Sequence, residues 1–280
     1  MKMRPGLVRG AVLTIAWTTL FMVCLYTFLP ARRINTAIDR SLATQGLTLT
    51  PSVRKTILPG LAWDKALLSS ELGPLIRLER LTVRPLLLHL LTGRVVLDAT
   101  AILGRGRLNL DYVVTGSPAV RLIADSLELG ELPLFKTVLG ARVGGSLKGE
   151  GHAESGPKGW NGELKLEISR LEFTGIRMGA FALPDAANLR SRGMVRITDG
   201  RARLESFTLE GDGLYMRLSG EVPAGLNAVT APLNLVLEIM PKPEFLEKQK
   251  LVFMLLSKFM ASPGVYRVPI TGTLLKPQIL

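Results

Sequence analysis

Apolar and polar residues alternate along much of the chain after residue 94, which is the pattern of β-strands with one buried face. The clearest run is MVRITDGRARLESFTLEGDGLYMRLSGEV, at 194–222. Asp199-Gly200 and Asp212-Gly213 are favoured two-residue hairpin loops, and each one places apolar residues opposite apolar residues. The two hairpins share one strand. The first hairpin puts the even-numbered Leu204 on the apolar face, and the second puts the odd-numbered Phe207 and Leu209 there. A regular strand cannot do both, so we predict a bulge near Glu205-Ser206. The predicted pairs are Ile197 with Ala202, Val195 with Leu204, Leu209 with Met216 and Phe207 with Leu218.

An earlier stretch, VVLDATAILGRGRLNLDYVV at 95–114, also predicts a hairpin. A two-residue loop at Arg105-Gly106 sets Leu103 opposite Leu108 and Ala101 opposite Leu110. Both arms then present their apolar residues on one face of the sheet.

The stretch VGGSLKGEGHAESGPKGWNGELKLEIS, at 143–169, holds seven of the chain's 28 glycines. It does not fit a phosphate-binding loop, because that pattern has a lysine after its last glycine and here Glu150 follows Gly149. It fits a hairpin, with Gly149 and Gly151 in one strand and Asn161-Gly162 in the connection. Small residues opposite large ones allow close approach or a curl in the sheet. The facing strand carries Leu164, Leu166 and Ile168.

Helical periodicity occurs in few places. It predicts a helix over 30–46, a short apolar helix over 84–93 and one long helix over 243–260. The last would be a plug or flank of the sheet or, because it carries lysines, a helix on a membrane surface. The segments 231–240 and 265–280 predict two further strands.

The segment AVLTIAWTTLFMVCLYTFL, at 11–29, contains no charge and nearly reaches the length that a helix needs to cross a bilayer. Basic residues flank it on both sides, and Trp17 and Tyr26 suit the membrane interfaces. We expect an uncleaved anchor that leaves residues 1–10 in the cytoplasm. A cleaved signal peptide is the alternative, but no small-residue cleavage site follows Leu29.

Composition and charge narrow the classes of function. Hydrophobic residues make up 47% of the chain and charged residues 21%, so a disordered chain is excluded. The net charge of +12 comes from scattered Lys and Arg residues, which indicate a solvated outer face and no nucleic-acid partner. Cys24 is the single cysteine, which suits an exported protein of the bacterial periplasm and excludes a Cys-based zinc site. His89 and His152 lie in unrelated contexts, so we expect no enzyme, no metal and no cofactor.

The apolar stripes of the strands have two interpretations. They form a closed core or, if the sheet curls without a second layer over it, they line an apolar groove. Few helices are predicted that could cover the sheet, so the groove remains one of the two interpretations. The candidate lining residues are Leu108, Leu110, Tyr112, Leu164, Leu166, Ile168, Leu214, Met216 and Leu218.

Five features follow one another along the chain: the apolar segment at 11–29, LTVRPLLLHLLTGR, ELPLFKTVLGARVGGSLKGEGH, PEFLEKQK and the ending YRVPITGTLLKP. In this order they resemble the type II secretion system protein N (GspN) family of bacteria, and more widely the AsmA-like periplasmic proteins. The shared motifs mark strand ends, and the family is non-enzymatic, so no catalytic residue is carried over.

The resemblance implies a single-pass inner-membrane protein whose periplasmic domain contacts other proteins of the type II secretion machinery. The AsmA-like similarity implies an alternative, a β-groove that holds the acyl chains of phospholipid. The expected fold is mainly β, with an N-terminal transmembrane helix and a mixed, partly helical region over 30–93. Over 94–280 we expect a curved antiparallel β-meander, groove-like or like an open barrel, with few helices.

Overall fold

The computed structural model describes residues 31–56, 59–90, 92–179, 181–211, 213–224 and 228–279. The segments predicted as a transmembrane anchor, at 11–29, and as a cytoplasmic N-terminus, at 1–10, lie outside the described residues. Within the described residues, no helix has both the length and the apolar character needed to cross a membrane.

The described part of the chain is mainly β, as predicted, and its strands form one large antiparallel sheet accompanied by a few short helices. The helices are α1 (Ala31–Ala43), α2 (Leu87–Leu90), α3 (Leu134–Leu139), α4 (Pro243–Lys248) and α5 (Lys250–Leu255), with 3-10 turns at Leu129–Glu131 and Ser257–Phe259. The strands are β1 (Leu47–Thr50), β2 (Arg54–Lys55), β3 (Leu61–Ser70), β4 (Gly73–Pro85), β5 (Val96–Leu103), β6 (Gly106–Val113), β7 (Ala119–Glu128), β8 (Arg142–Gly156), β9 (Gly159–Thr174), β10 (Arg177–Met178), β11 (Phe181–Ala182), β12 (Ala186–Thr198), β13 (Arg201–Gly211), β14 (Leu214–Val222), β15 (Asn234–Pro241), β16 (Met260–Ser262), β17 (Val265–Gly272) and β18 (Pro277–Ile279).

The sheet is a meander in which strands that follow one another along the chain usually pair. Its order is β1-β3-β4-β5-β6-β7-β8-β9-β12-β13-β14-β15-β17-β16, with β2 on β3 and β18 on β17. The hairpin β10–β11 forms a separate two-stranded sheet between β9 and β12. Among the described residues no pairing joins β1 to β16, so the sheet is open.

The register of the two later hairpins confirms the sequence prediction. Val195 pairs with Leu204 and Ile197 with Ala202, and the following strands pair Phe207 with Leu218 and Leu209 with Met216. The register shifts between Leu204 and Phe207, which is where the bulge was predicted. Asp199 and Gly200 have φ angles of 51° and 78°, the left-handed conformation that this two-residue turn requires.

The predicted loop at Arg105-Gly106 is wrong by one residue. The turn is at 104–105, so that Leu103 pairs with Gly106 and Ala101 with Leu108. Gly104 supplies the positive φ, 55°, while a Cβ at position 106 would lie 2.6 Å from Cδ2 of Leu127. The pairing therefore moves by two residues, which leaves the same side chains on the same face.

In the glycine-rich hairpin the strand positions are confirmed and the turn is not. Gly149 pairs with Leu166 and Gly151 with Leu164, whereas the turn lies at 157–158 and Gly162 lies within β9. A Cβ at Gly162 would lie 2.2 Å from the carbonyl oxygen of His152, so this glycine permits close approach between strands.

Two helices are predicted within the region over 30–93. The first helix is present as α1, but the sheet already begins at β1 and crosses residue 94 without a break. The helix predicted over 84–93 shrinks to α2, because β4 continues to Pro85.

The long helix predicted over 243–260 is also wrong, because it breaks at Gln249 into α4 and α5. Gln249 leaves helical geometry, with φ −122° and ψ 35°. Its side chain is held by the backbone of Asp185: the Asp185 N–H donates to Oε1 at 2.9 Å, and Nε2 donates to the Asp185 carbonyl at 2.7 Å. This attachment fastens the helices to the segment between β11 and β12.

We predict that Gly162→Ala lowers the free energy of unfolding by about 2 kcal/mol or more, because the new methyl group would meet rigid backbone. The measurement is denaturant unfolding of the full chain followed by circular dichroism. Gly130→Ala is the matched control, since its Cβ would find its nearest neighbour at 3.5 Å. Equal stability of the two variants would contradict the close approach at Gly162.

Candidate functional site

The apolar residues of the sheet lie on one continuous face, because cross-strand partners point to the same side. We call this side the apolar face. All nine residues predicted as groove lining belong to it. One row that crosses eight neighbouring strands consists of Leu108, Ala124, Gly149, Leu166, Gly193, Phe207, Leu218 and Leu237.

Charged residues of the same strands point to the opposite face, which we call the polar face. Ion pairs lie along it, including Arg196 with Glu205 and Arg267 with Glu238, both at 2.9 Å. Lys165 donates a hydrogen bond to Glu163, and this bond and the lysine's charge lower the pKa of the Glu163 carboxyl. The same bond raises the pKa of Lys165. This pair is exposed to solvent and lies away from the apolar face.

The N-terminal part of the apolar face is covered by α1. Ile34 and Ile38 pack against a small buried cluster of Val53, Trp63 and Ala66. Helix α1 is also tied to the chain after β1, because the side-chain oxygen of Asn35 accepts the backbone N–H of Val53 at 2.9 Å.

The C-terminal part is closed by three connections that pack into one large buried cluster. They are the segments between β7 and β8, between β9 and β12, and between β15 and β17. Ile168, Leu214 and Met216 belong to this cluster, so these three predicted lining residues are part of a closed core. The connections contribute Leu129, Ala141, Ile176, Leu183, Phe253 and Leu256.

The middle of the apolar face is only partly covered. Leu108 and Leu218 pack at the margins of the buried clusters. Four other predicted residues are half-buried and belong to none of the clusters formed by the described residues. They are Leu110, Tyr112, Leu164 and Leu166. The sequence therefore identified the apolar face as a whole, and the structure separates its open middle from its closed ends.

The sheet is curved, so that connections far apart in its strand order come together. Tyr112 in β6 and Trp160 in β9 have ring centroids 6.5 Å apart. Three strand steps separate β6 from β9, about 14 Å in a flat sheet. The row of Tyr112 continues through Val120 and Ala153 to Gly162, and the small side chains of Ala153 and Gly162 leave room for the two rings to approach each other. Bending also brings the turn between β3 and β4 near the loop between β17 and β18, where the two line a cavity of about 320 Å³.

Sequence reasoning missed three residues of the middle part. Val120 and Leu122 lie in β7, between β6 and the glycine-bearing β8, and Trp160 lies in β9. The signal for β7 was available, because AVRLIADSLE alternates as clearly as its neighbours do.

The open part of the apolar face can make apolar contacts with a ligand. From β6 to β9 it presents aliphatic, aromatic and small side chains, with the phenol of Tyr112 as its ionisable group. In the described part of the chain, no group of three His, Cys, Asp or Glu residues could hold a metal ion. A cavity of about 600 Å³ opens between β9, β12 and β13, and its lining mixes Glu167 and Glu210 with Arg170, Arg190 and Arg192. It therefore has the charged character of the polar face.

Comparison with known proteins finds no matching family model, no similar curated sequence and no similar solved structure.

We predict that a cysteine placed at Leu164 reacts with N-ethylmaleimide about tenfold faster or more than one placed at Met216. Leu164 is half-buried in the open part, whereas Met216 is buried in the closed core. Both variants are made in a Cys24→Ser background, which removes the single native cysteine, and rates are measured by mass spectrometry on the full chain. Similar rates would show that the middle of the apolar face is as closed as the core.

Proposed function

We propose that the open part of the apolar face is a groove that binds the acyl chains of lipids. The observation that carries the proposal is the set of half-buried apolar side chains of β6 and β9 on one face of a curved sheet. Each methylene group moved from water onto such a surface contributes about 0.8 kcal/mol, so a long acyl chain gains substantial binding energy.

The groove recognises the chain of the lipid and leaves its headgroup outside. The charged residues of β6 to β9 lie on the polar face, so the groove supplies no charged group for a phosphate. The ligand class is therefore phospholipid or another molecule with a long acyl chain, bound without headgroup selection. The resemblance to AsmA-like proteins supports the same interpretation.

Neighbouring residues of β7 provide the sharpest test. Leu122 lies on the apolar face opposite Leu110 and Gly151, and Ile123 lies on the polar face and is exposed. A photoreactive amino acid at position 122 of the full chain, irradiated in cells, is expected to capture phospholipid, because an acyl chain passes beside it. The adduct is measured by mass spectrometry. The same amino acid at position 123 is the matched control. Equal capture at both positions, or none at 122, would contradict lipid binding in the groove.

The second candidate is an anchored accessory component of the type II secretion machinery, with a periplasmic domain that contacts other machinery proteins. The observation that favours it is the order of sequence features shared with the protein N family. The two candidates are compatible, since a lipid-binding domain can belong to a secretion apparatus.

For this second candidate we predict that deletion of the protein reduces export of the substrates of the type II system. The measurement is the amount of each substrate outside the cell, with the restored full chain as the control. Unchanged export of every substrate would contradict a role in secretion and would leave the crosslinking result unaffected.

A further inference from the structure

The helix α5 has apolar side chains on both of its faces. Val252, Phe253 and the adjoining Leu256 pack into the large buried cluster. On the other side Leu251, Met254 and Leu255 are 78%, 62% and 59% exposed. A helix that is apolar all round is ordinarily buried on all sides, so the outer side of α5 lacks a cover in the described chain.

Lysine residues border this exposed side. Lys248 ends α4 and Lys258 lies in the 3-10 turn that follows α5, so the two exposed lysines flank this helix in the chain. With Lys242 and Lys250, segment 242–260 carries four lysines against two glutamates. We call the exposed apolar residues and these lysines the α5 patch.

None of the four lysines of the α5 patch forms an ion pair with a described carboxylate. Nine arginine and lysine residues of the strands do form such pairs, which lie along the sheet. Lys258 lies over two rings that pack against the large buried cluster, with Nζ 4.5 Å from the centroid of Phe181 and 4.6 Å from that of Phe259. Its ammonium group therefore stays positioned and remains available to an anion.

A second copy of the chain is a poor occupant for this patch. A stable dimer buries about 800 Å² on each partner, more than a few side chains of one short helix supply. A two-fold contact would also bring the lysines of both copies together. A layer of anionic headgroups over acyl chains matches both the apolar residues and the charge of their border.

We propose that the α5 patch docks on the surface of an anionic lipid bilayer, with Leu251, Met254 and Leu255 among the acyl chains and the lysines at the headgroups. This contact is separate from the groove, because it lies on the outer side of α5. It can hold whether or not the groove binds lipid.

The test uses the full chain in a Cys24→Ser background with a nitroxide spin label on Leu251→Cys. The protein is reconstituted in vesicles of phosphatidylglycerol or of phosphatidylcholine, and protein-free vesicles of the same composition are added so that a facing membrane is present. In the anionic vesicles we expect oxygen to relax the label about threefold more, relative to a water-soluble nickel complex, than in the zwitterionic ones. A label at Val236→Cys, which lies on the polar face, is the matched control and should not change.

Replacing Lys248, Lys250 and Lys258 together by glutamine should abolish the difference between the two lipids. A label that stays accessible to the nickel complex in both vesicles would overturn the proposal, and so would spectral broadening from a second label nearby, which indicates a dimer. Hydrogen exchange of segment 250–260 in the unsubstituted chain gives an independent readout. Protection by anionic vesicles alone supports docking, and equal exchange in both vesicles contradicts it.

Discussion

The structure depends on the one-sidedness of a single large sheet. Successive side chains of a strand point to opposite faces, and here nearly every strand places its apolar set on the same face. An extended apolar face in water is unfavourable, so it must be covered by another layer, by bending of the sheet or by a ligand. The described part of the chain has few helices for the first solution, and the helices α1, α3, α4 and α5 pack over the ends of the sheet.

The apolar face is covered at its two ends, and this explains why its middle part is only half-buried. Helix α1 covers the first strands, and the connections around α3, the β10–β11 hairpin and α4–α5 cover the last ones. Between them the sheet bends, and small residues such as Gly151 let Leu164 lie close against the neighbouring strand, where a Cβ would come within 2.9 Å of its Cδ1. The half-buried surface that remains is apolar, because the charges of these strands are on the polar face.

The sequence predicted much of this architecture because alternation and turn residues are local signals. The register around Asp199-Gly200 and the bulge near Glu205 followed from matching apolar residues across a turn. The failures came from tertiary contacts that local patterns do not contain. Gly162 resembles a turn residue but is needed where strands approach closely, and Gln249 breaks a continuous helical pattern because Asp185 holds its side chain. The alternating pattern also placed Met216 and Leu164 in the same list of lining residues. Only packing distinguishes Met216 in the core from Leu164 in the open part.

The central claim is that the open part of the apolar face holds an acyl chain. Native mass spectrometry of the full chain, released from detergent and compared with a Leu164→Asp variant, tests it most directly. The account predicts that the unsubstituted protein keeps at least one lipid mass that the variant loses, because a carboxylate in the groove opposes binding of an apolar chain. Identical lipid content in the two proteins, or no retained lipid in either, would contradict it.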